Sequence, residues 1–384
     1  MNHNTVIVRY GEIFLKSDYV RKKFENKLIE NIVLKLKNKN LSHKIIKKRH
    51  RLYIESDDER NIERIAQEVK DVFGVVSVSP AIKTEAEMKK IADTAVNFSK
   101  NLINSNNSFA VRTHRTGNHD FSSMDVDREI GAKILEETCS KVDLTNPDRV
   151  IFIEIQDDCA FIFDEKIKGT GGMPYGTQGR AVALISGGID SPAAGFMMMR
   201  RGCELSVVHF GNEIDEIIKK LENYSVHKIK IYNIEREIFN EILGEISKVA
   251  GKYTCVVCKR MMLKFAGKIA EATNAKGIVM GDSLGQVASQ TLDNLMVVNS
   301  AASCPVYRPL IGMDKEDIVK IAKKIGTYEL QSKEECTFTP KKPSTSADLR
   351  KIEEIEDEIG IDELIEKFMK NSIHNLTPIN PAIV

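Results

Sequence analysis

Tryptophan is missing from all 384 residues, and aromatic residues of any kind make up only 6%. No apolar run is longer than about five residues, which excludes a membrane-spanning helix, since that needs about 20. The opening Met1-Asn-His-Asn-Thr5, followed by strand-like Val6-Ile7-Val8, lacks the segments of a signal peptide. The seven cysteines are an odd number in a long chain and do not suggest a disulfide framework, so a reduced cytoplasm is the expected compartment. Abundant Lys, Glu and Ile without tryptophan fit a thermophilic or AT-rich source. Acidic residues are absent locally as well. The formal net charge is only +1, yet Asn31 to Ile54 contains none, while Lys35, Lys37, Lys39, Lys44, Lys47, Lys48, Arg49 and Arg51 all fall there. The run Glu353-Glu354-Ile355-Glu356-Asp357-Glu358 reverses the sign near the other end. Unopposed cations make either a solvated face or a surface for a polyanion. The 42% hydrophobic fraction supports real cores, and the length exceeds one ordinary domain, so two or three are expected.

The strongest signal is Ala181-Val-Ala-Leu-Ile-Ser-Gly-Gly-Ile-Asp-Ser-Pro192. Ala181 to Ile185 read as a strand buried on both faces, because no polar residue alternates with the apolar ones. The run breaks into Ser186-Gly187-Gly188, and Asp190-Ser191-Pro192 supplies N-cap chemistry and a proline for a first helical turn. Strand, glycine turn and helix start would converge backbone N–H groups on an anion. A Walker A loop is excluded, because its spacer and Gly-Lys-Ser/Thr ending are missing. Beyond it, Glu204 to Phe210 and Lys228 to Ile234 read as strands, and Glu213 to Tyr224, Glu235 to Val249 and Lys259 to Thr273 as helices. Lys276 to Met280 is a further strand, ending at Gly281. Such alternation predicts a mostly parallel sheet wound on both faces, with ligands at the carboxyl ends of its strands.

The front half reads differently. Residues 5–9, Leu52 to Ile54 and Val75 to Ile82 are expected strands, and Tyr19 to Leu36 and Asn61 to Phe73 helices. A helix over Glu85 to Leu102, a strand from Phe109 to Arg115 with cations on one side, a helix over Asp125 to Cys139 and strands at Arg149 to Ile155 and Cys159 to Phe163 follow. This is α+β patterning with a basic side.

Several segments resemble one enzyme family. Ser186-Gly187-Gly188-Ile189-Asp190-Ser191 matches the PP-loop, Ser-Gly-Gly-x-Asp-Ser, of the ATP pyrophosphatases, which cleave ATP between the α- and β-phosphates and adenylate a substrate oxygen. Arg9-Tyr10-Gly11-Glu12, with Arg21-Lys22-Lys23-Phe24, resembles the N-terminal ferredoxin-like domain of the tRNA 4-thiouridine synthetases. The following span resembles a THUMP domain, Gly169 to Gly179 resembles the segment before the PP-loop, and Gly281-Asp-Ser-Leu-Gly-Gln-Val-Ala-Ser-Gln290 is similar to the family's Gly-Glu-Ser-Leu-Gly-Gln-Val-Ala-Ser-Gln. The implied fold class is α/β: a C-terminal doubly wound, mostly parallel sheet (PP-loop, adenine nucleotide alpha hydrolase-like) preceded by two small α+β domains, ferredoxin-like and THUMP. The expected boundaries are 1–60, 61–166, a linker at 167–179, and 180–384.

The resemblance implies a tRNA sulfurtransferase that adenylates C4 of uridine, at tRNA position 8, and replaces its oxygen with sulfur. Some members also supply sulfur for thiamine thiazole synthesis. ATP would meet Leu184, Ile185, Ser186, Gly187, Gly188, Ser191, His209, Phe210, Lys259, Gly281 and Gln290, and the resemblance does not decide between Lys259 and Arg260. Asp190 would serve catalysis as a Mg²⁺ ligand or its close partner. Lys44, Lys47, Lys48, Arg49, Arg51, Arg112 and Arg115 would hold RNA backbone.

Cys255-Val-Val-Cys258 opens a helix beside Lys259, a setting that lowers thiol pKa, so at least one of the pair is expected to be reactive or ligating. Cys336, in Glu334-Glu335-Cys336-Thr-Phe-Thr-Pro-Lys-Lys-Pro343, resembles the family's sulfur-handling cysteine. Two routes follow. Cys255, Cys258 and Cys336 bind a [4Fe-4S] cluster with one iron open to sulfide, or Cys336 carries a persulfide that a CxxC thiol discharges as a disulfide. Bacterial members often add a C-terminal rhodanese domain. No such segment follows here, which argues against a rhodanese-fed persulfide, and the CxxC tips the expectation toward the cluster. The expected sulfur donor is sulfide or the persulfide of a cysteine desulfurase, no membrane is involved, and a homodimer is open. A PP-loop ligase or amidotransferase for a small molecule and a non-catalytic RNA-binding protein stand as alternatives.

Overall fold

A computed structural model of the chain describes residues 3–48, 50–211, 214–332, 336–366 and 369. They fall into two units, 1–172 and 173–384.

The first unit is β1 (Thr5–Tyr10), α1 (Asp18–Asn38), β2 (Lys44–Lys48), β3 (Arg51–Glu55), α2 (Ile62–Val69), β4 (Val75–Glu85), α3 (Met88–Ser99), β5 (Ser108–Thr116), α4 (Ser123–Thr138), β6 (Lys141–Val142), β7 (Arg149–Gln156), β8 (Cys159–Phe163) and β9 (Ile167–Lys168). α1 buries Phe24, Leu28, Ile32 and Leu36, the helical spacing visible in the sequence. α4 starts where a reciprocal capping box forms: Ser122 Oγ accepts from the Asp125 amide, and Asp125 accepts from the Ser122 amide. The strands form one nine-stranded mixed sheet, β2-β3-β1-β4-β8-β7-β5-β6, with β9 also on β4. One strand fuses its halves. β4 pairs with β1 through Val75 to Ala81, then with β8 from Ile82 to Glu85. The basic block at Lys44 to Lys48 becomes β2, an edge strand whose lysine-rich pattern shows no strand period in the sequence. Lysines on such an edge discourage pairing with another chain.

The second unit is β10 (Arg180–Leu184), α5 (Asp190–Arg200), β11 (Glu204–Phe210), α6 (Asp215–Glu222), β12 (Lys230–Ile234), α7 (Arg236–Ala250), α8 (Thr254–Ala272), β13 (Ile278–Val279), α9 (Leu292–Asn299), β14 (Val306–Tyr307), α10 (Lys315–Ile325) and α11 (Leu349–Ile359). The expected parallel sheet is there, in the order β12-β11-β10-β13-β14. β10 is central because its residues need cover on both sides. Val182 and Val208 pack with α7 and α8 in the main core, and α5 packs against β10 outside that cluster. Strand order reverses at β10, so the crevice at its carboxyl end is where a ligand fits this architecture. β14 was missed because two residues show no periodicity.

A buried ion pair fastens α11 to α8. Arg260 donates to both oxygens of Glu356, at 2.7 and 2.9 Å, and to the Val297 carbonyl at 2.6 Å. Glu356→Ala leaves that guanidinium in the core without its carboxylate and is expected to cost about 3–5 kcal/mol, read by urea denaturation. A loss under about 1 kcal/mol would contradict the burial argument. No helix among the described residues is long and apolar enough to cross a membrane.

Candidate active site

The PP-loop turn lies between the end of β10 and the start of α5. The Ser186 amide donates to Ser191 Oγ at 2.8 Å, the two hydroxyls are 3.0 Å apart, and the Gly188 amide reaches Ser186 Oγ at 3.4 Å. Side-chain hydroxyls therefore brace the turn from inside. A Cβ at Gly281, just past β13, would come within 2.7 Å of the Ser191 amide nitrogen, so only glycine lets that strand exit lie against the start of α5. Gly187 approaches Ser332: a Cβ there would meet Ser332 Cβ at 3.0 Å, and the Ser332 amide donates to the Gly187 carbonyl at 2.8 Å.

Asp190 is not an N-cap. It is the first helical residue of α5, the cap position is Ile189, and no side chain caps there. Its Oδ1 accepts from Lys315 Nζ, at the start of α10, at 2.6 Å. Asp190 thus has an ammonium as its side-chain partner, a contact the sequence did not point to. Lys315 had no signal in the sequence, since the contact joins positions far apart in the chain.

His209, the penultimate residue of β11, is buried, with its Nδ1 at 2.8 Å from the Ile185 carbonyl oxygen. Phe210 turns its ring to Phe239 and Phe265, centroids 5.1 and 5.7 Å away. Leu184 is half-buried and Ile185 buried at the strand end. The two adjacent cations on α8 separate cleanly: Arg260 is in the core, while Lys259 Nζ reaches Asp282 Oδ1 at 2.8 Å. Gln290 Nε2 also donates to Asp282, at 3.3 Å, and its Oε1 is buried without a hydrogen-bond partner among the described residues. Burial works against the charge on Asp282, but the Lys259 ammonium and the Arg308 guanidinium together hold its carboxyl below the usual carboxylate range.

The cysteines overturn two expectations. Cys255 and Cys258 do sit at the start of α8, yet their pKa values are not lowered. Loss of water pushes both thiols up, Cys258 to about 12, and the neighbouring cysteines raise them further against a smaller opposing pull from Lys259. Cys336, exposed, is near enough to be among those neighbours. The three nevertheless do not make a cluster site: no group of three or more His, Cys, Asp or Glu among the described residues could hold a metal ion. The [4Fe-4S] expectation is therefore withdrawn. Glu334 and Glu335 lie outside the described residues.

In the first unit, Lys44 and Arg112 are exposed, Lys47 is bonded to buried Glu25, Lys48 pairs with Asp158 at 2.9 Å, and Arg115 donates to the Gly117 carbonyl at 3.2 Å. Arg49 lies outside the described residues. Arg51 and Arg9 both bond the Glu154 carboxylate, at 3.4 and 2.9 Å. Lys166 Nζ lies 4.1 Å from the centre of the Phe152 ring, and burial together with Arg9, Arg51 and Arg112 depresses its pKa. Cations thus outnumber acids around Glu154. Arg9 and Lys166 were not singled out as ligands from the sequence, although Arg9 opens the Arg-Tyr-Gly-Glu motif.

Models of three known domains match along the chain: the ThiI ferredoxin-like domain over residues 5–79, the THUMP domain over 85–164, and the family described as thiamine biosynthesis protein (ThiI) over 176–361. A probable tRNA sulfurtransferase of Methanobrevibacter smithii is 39% identical, across 96% of this chain and 98% of its own length. The chain belongs to the ThiI family. A probable tRNA sulfurtransferase of Thermococcus kodakarensis is 43% identical over 88% of this chain and 93% of that one. Among solved structures, a 4-thiouridine synthetase–RNA complex with bound ATP superposes with a TM-score of 0.83 at 31% identity, covering 95% of this chain and 97% of its own. In this ThiI-family chain the PP-loop follows β10 and Asp282 follows β13, the neighbouring strands where the order of the sheet reverses, and Lys259 and Gln290 both bond Asp282.

Proposed function

We propose that this ThiI-family protein is an ATP-dependent tRNA sulfurtransferase producing 4-thiouridine. The observation that carries this is the likeness, along nearly the whole chain, to the 4-thiouridine synthetase bound to RNA and ATP. The chemistry follows from uracil. Its C4 oxygen is a poor leaving group, so it first attacks the α-phosphorus of ATP and pyrophosphate leaves. Sulfur then adds to the adenylated C4 and AMP leaves, giving the thiocarbonyl. Positioning and charge stabilisation provide most of the assistance to the first step.

On this reading the braced PP-loop and the start of α5 hold the phosphates, and Asp190 keeps the Lys315 ammonium at the mouth of the loop. Cys336 carries the sulfur as a persulfide, charged when its thiolate takes the outer sulfur from the persulfide of a cysteine desulfurase, whose own thiolate leaves. Its outer sulfur attacks C4. The Cys255 thiol, once deprotonated, attacks the inner sulfur, leaving the outer one on uridine and forming a Cys255–Cys336 disulfide that a dithiol reductant reopens. Burial raises the Cys255 pKa and so lowers the thiolate fraction available for this attack. Uridine 8 is the expected target, the basic cluster of the first unit the RNA-backbone contact, and a reduced cytoplasm the setting.

Pyrophosphate release measured with and without tRNA, alongside 4-thiouridine by nucleoside mass spectrometry, tests the reading. Release that ignores tRNA indicates a small-molecule enzyme, and no release under any condition indicates an RNA binder. Run on size-fractionated protein, the same assay assigns the activity to a monomer or to a homodimer.

A further inference from the structure

Three elements converge on one buried carboxylate. Asp282, 3% exposed, follows β13. Lys259, from α8, donates to one of its oxygens at 2.8 Å, and Arg308, immediately after β14, donates Nε to the other at 3.0 Å. Arg308 is held at its far end too, through Nη1 to Asn299 Oδ1 at 3.1 Å, with Met280 sulfur 3.9 Å from Nη2.

We infer that Asp282 is a positioning residue that holds Lys259 and Arg308 for the phosphates of the nucleotide, and that Arg308 is a further substrate-contacting residue of this site. The inference rests on the ATP reading above. Four observations carry it. The first is charge: Asp282 is the one carboxylate that pairs with either cation among the described residues, so the trio keeps an uncompensated positive charge in a largely buried place. A purely structural ion pair would be expected to balance, because unpaired buried charge is costly. The second is donor count. An ammonium has three N–H donors and a guanidinium five, more than these acceptors take up, so both cations retain donors for another anion.

The third is location. The backbone at Gly281 abuts the Ser191 amide, which places Asp282 one residue from contact with the PP-loop helix start, beside the reversal point of the sheet. The fourth is Gln290. Its amide nitrogen is anchored on the same carboxylate while its oxygen, buried and unpartnered, awaits a donor that the described residues do not supply. Together these make a preorganised cationic wall, whose geometry is set before the nucleotide arrives. As the bond between the α-phosphorus and the pyrophosphate lengthens, charge builds on the departing oxygen. Fixed donors aimed there need no reorganisation at that moment.

Arg308→Met should raise KM for ATP, lower kcat for tRNA-dependent pyrophosphate release, or both, by about ten-fold or more, the scale of one charge-assisted hydrogen bond. Inhibition by inorganic pyrophosphate should weaken in parallel, a change that a merely structural arginine would not produce. Asp282→Asn should behave like Arg308→Met, while Asp282→Glu, which keeps the charge, should retain most of the activity. Should Arg308→Met fail to fold, Arg308→Lys keeps the charge without the two-ended hold and is expected to give the same weakened pyrophosphate inhibition at an unchanged melting temperature. A folded Arg308 variant with wild-type KM, kcat and pyrophosphate inhibition overturns the inference while leaving the sulfurtransferase reading intact. A wild-type protein without tRNA-dependent pyrophosphate release overturns that reading instead.

Discussion

Asp190→Ala is expected to lower 4-thiouridine formation by about 10³-fold, the scale on which loss of a preorganised charge group acts, while tRNA binding changes by less than about two-fold. The carboxylate sits at the first residue of α5 and fixes Lys315 at 2.6 Å. Without it, the Lys315 ammonium on α10 loses its carboxylate partner beside the loop proposed to hold ATP. The cations proposed for RNA belong to the first unit, around Glu154, and are untouched by the change. Asp190→Asn separates charge from shape: the amide keeps a hydrogen-bond acceptor but no charge, and should lose most of the activity as well. Thiolation retained at wild-type rate in the alanine variant, with normal melting, would remove Asp190 from the reaction.

Cys336→Ala should abolish thiolation and leave tRNA-dependent pyrophosphate release near its normal rate. The side chain is exposed, so truncation removes little packing, and the effect on stability should stay within about 0.5 kcal/mol. The two half-reactions would then separate, with adenylated tRNA or its hydrolysis product accumulating. Persistent thiolation in Cys336→Ala supplied with sulfide would mean that sulfur reaches C4 without a protein thiol. Loss of pyrophosphate release as well would instead place Cys336 in nucleotide or RNA binding.

Much of the site was legible because its determinants are local. Ser186-Gly187-Gly188 and the turn into α5 can be read from adjacent residues, as can the strand that feeds them. Local patterning also located α1, β8 and β11 within a residue or two. It failed where an element is too short or too polar to show a period, as at β14 and the lysine-rich β2. Nor does composition mark a boundary inside the first unit, because β4 serves both halves of the nine-stranded sheet.

The sequence by itself determined the strand–turn–helix of the PP-loop, the alternation that makes a parallel sheet, and the concentration of cations in the front half. All three depend on residues within a few positions of one another. Only the tertiary structure decided what those residues meet. It gave Asp190 a lysine partner, buried Arg260 against Glu356, turned Lys259 to Asp282, and brought Asp282 between Lys259 and Arg308. It also reversed the expected acidity of Cys255 and Cys258, since desolvation outweighs a helix start and one ammonium. Ion pairing and burial are set by neighbours distant in sequence, and no local pattern encodes the water that a packed core excludes.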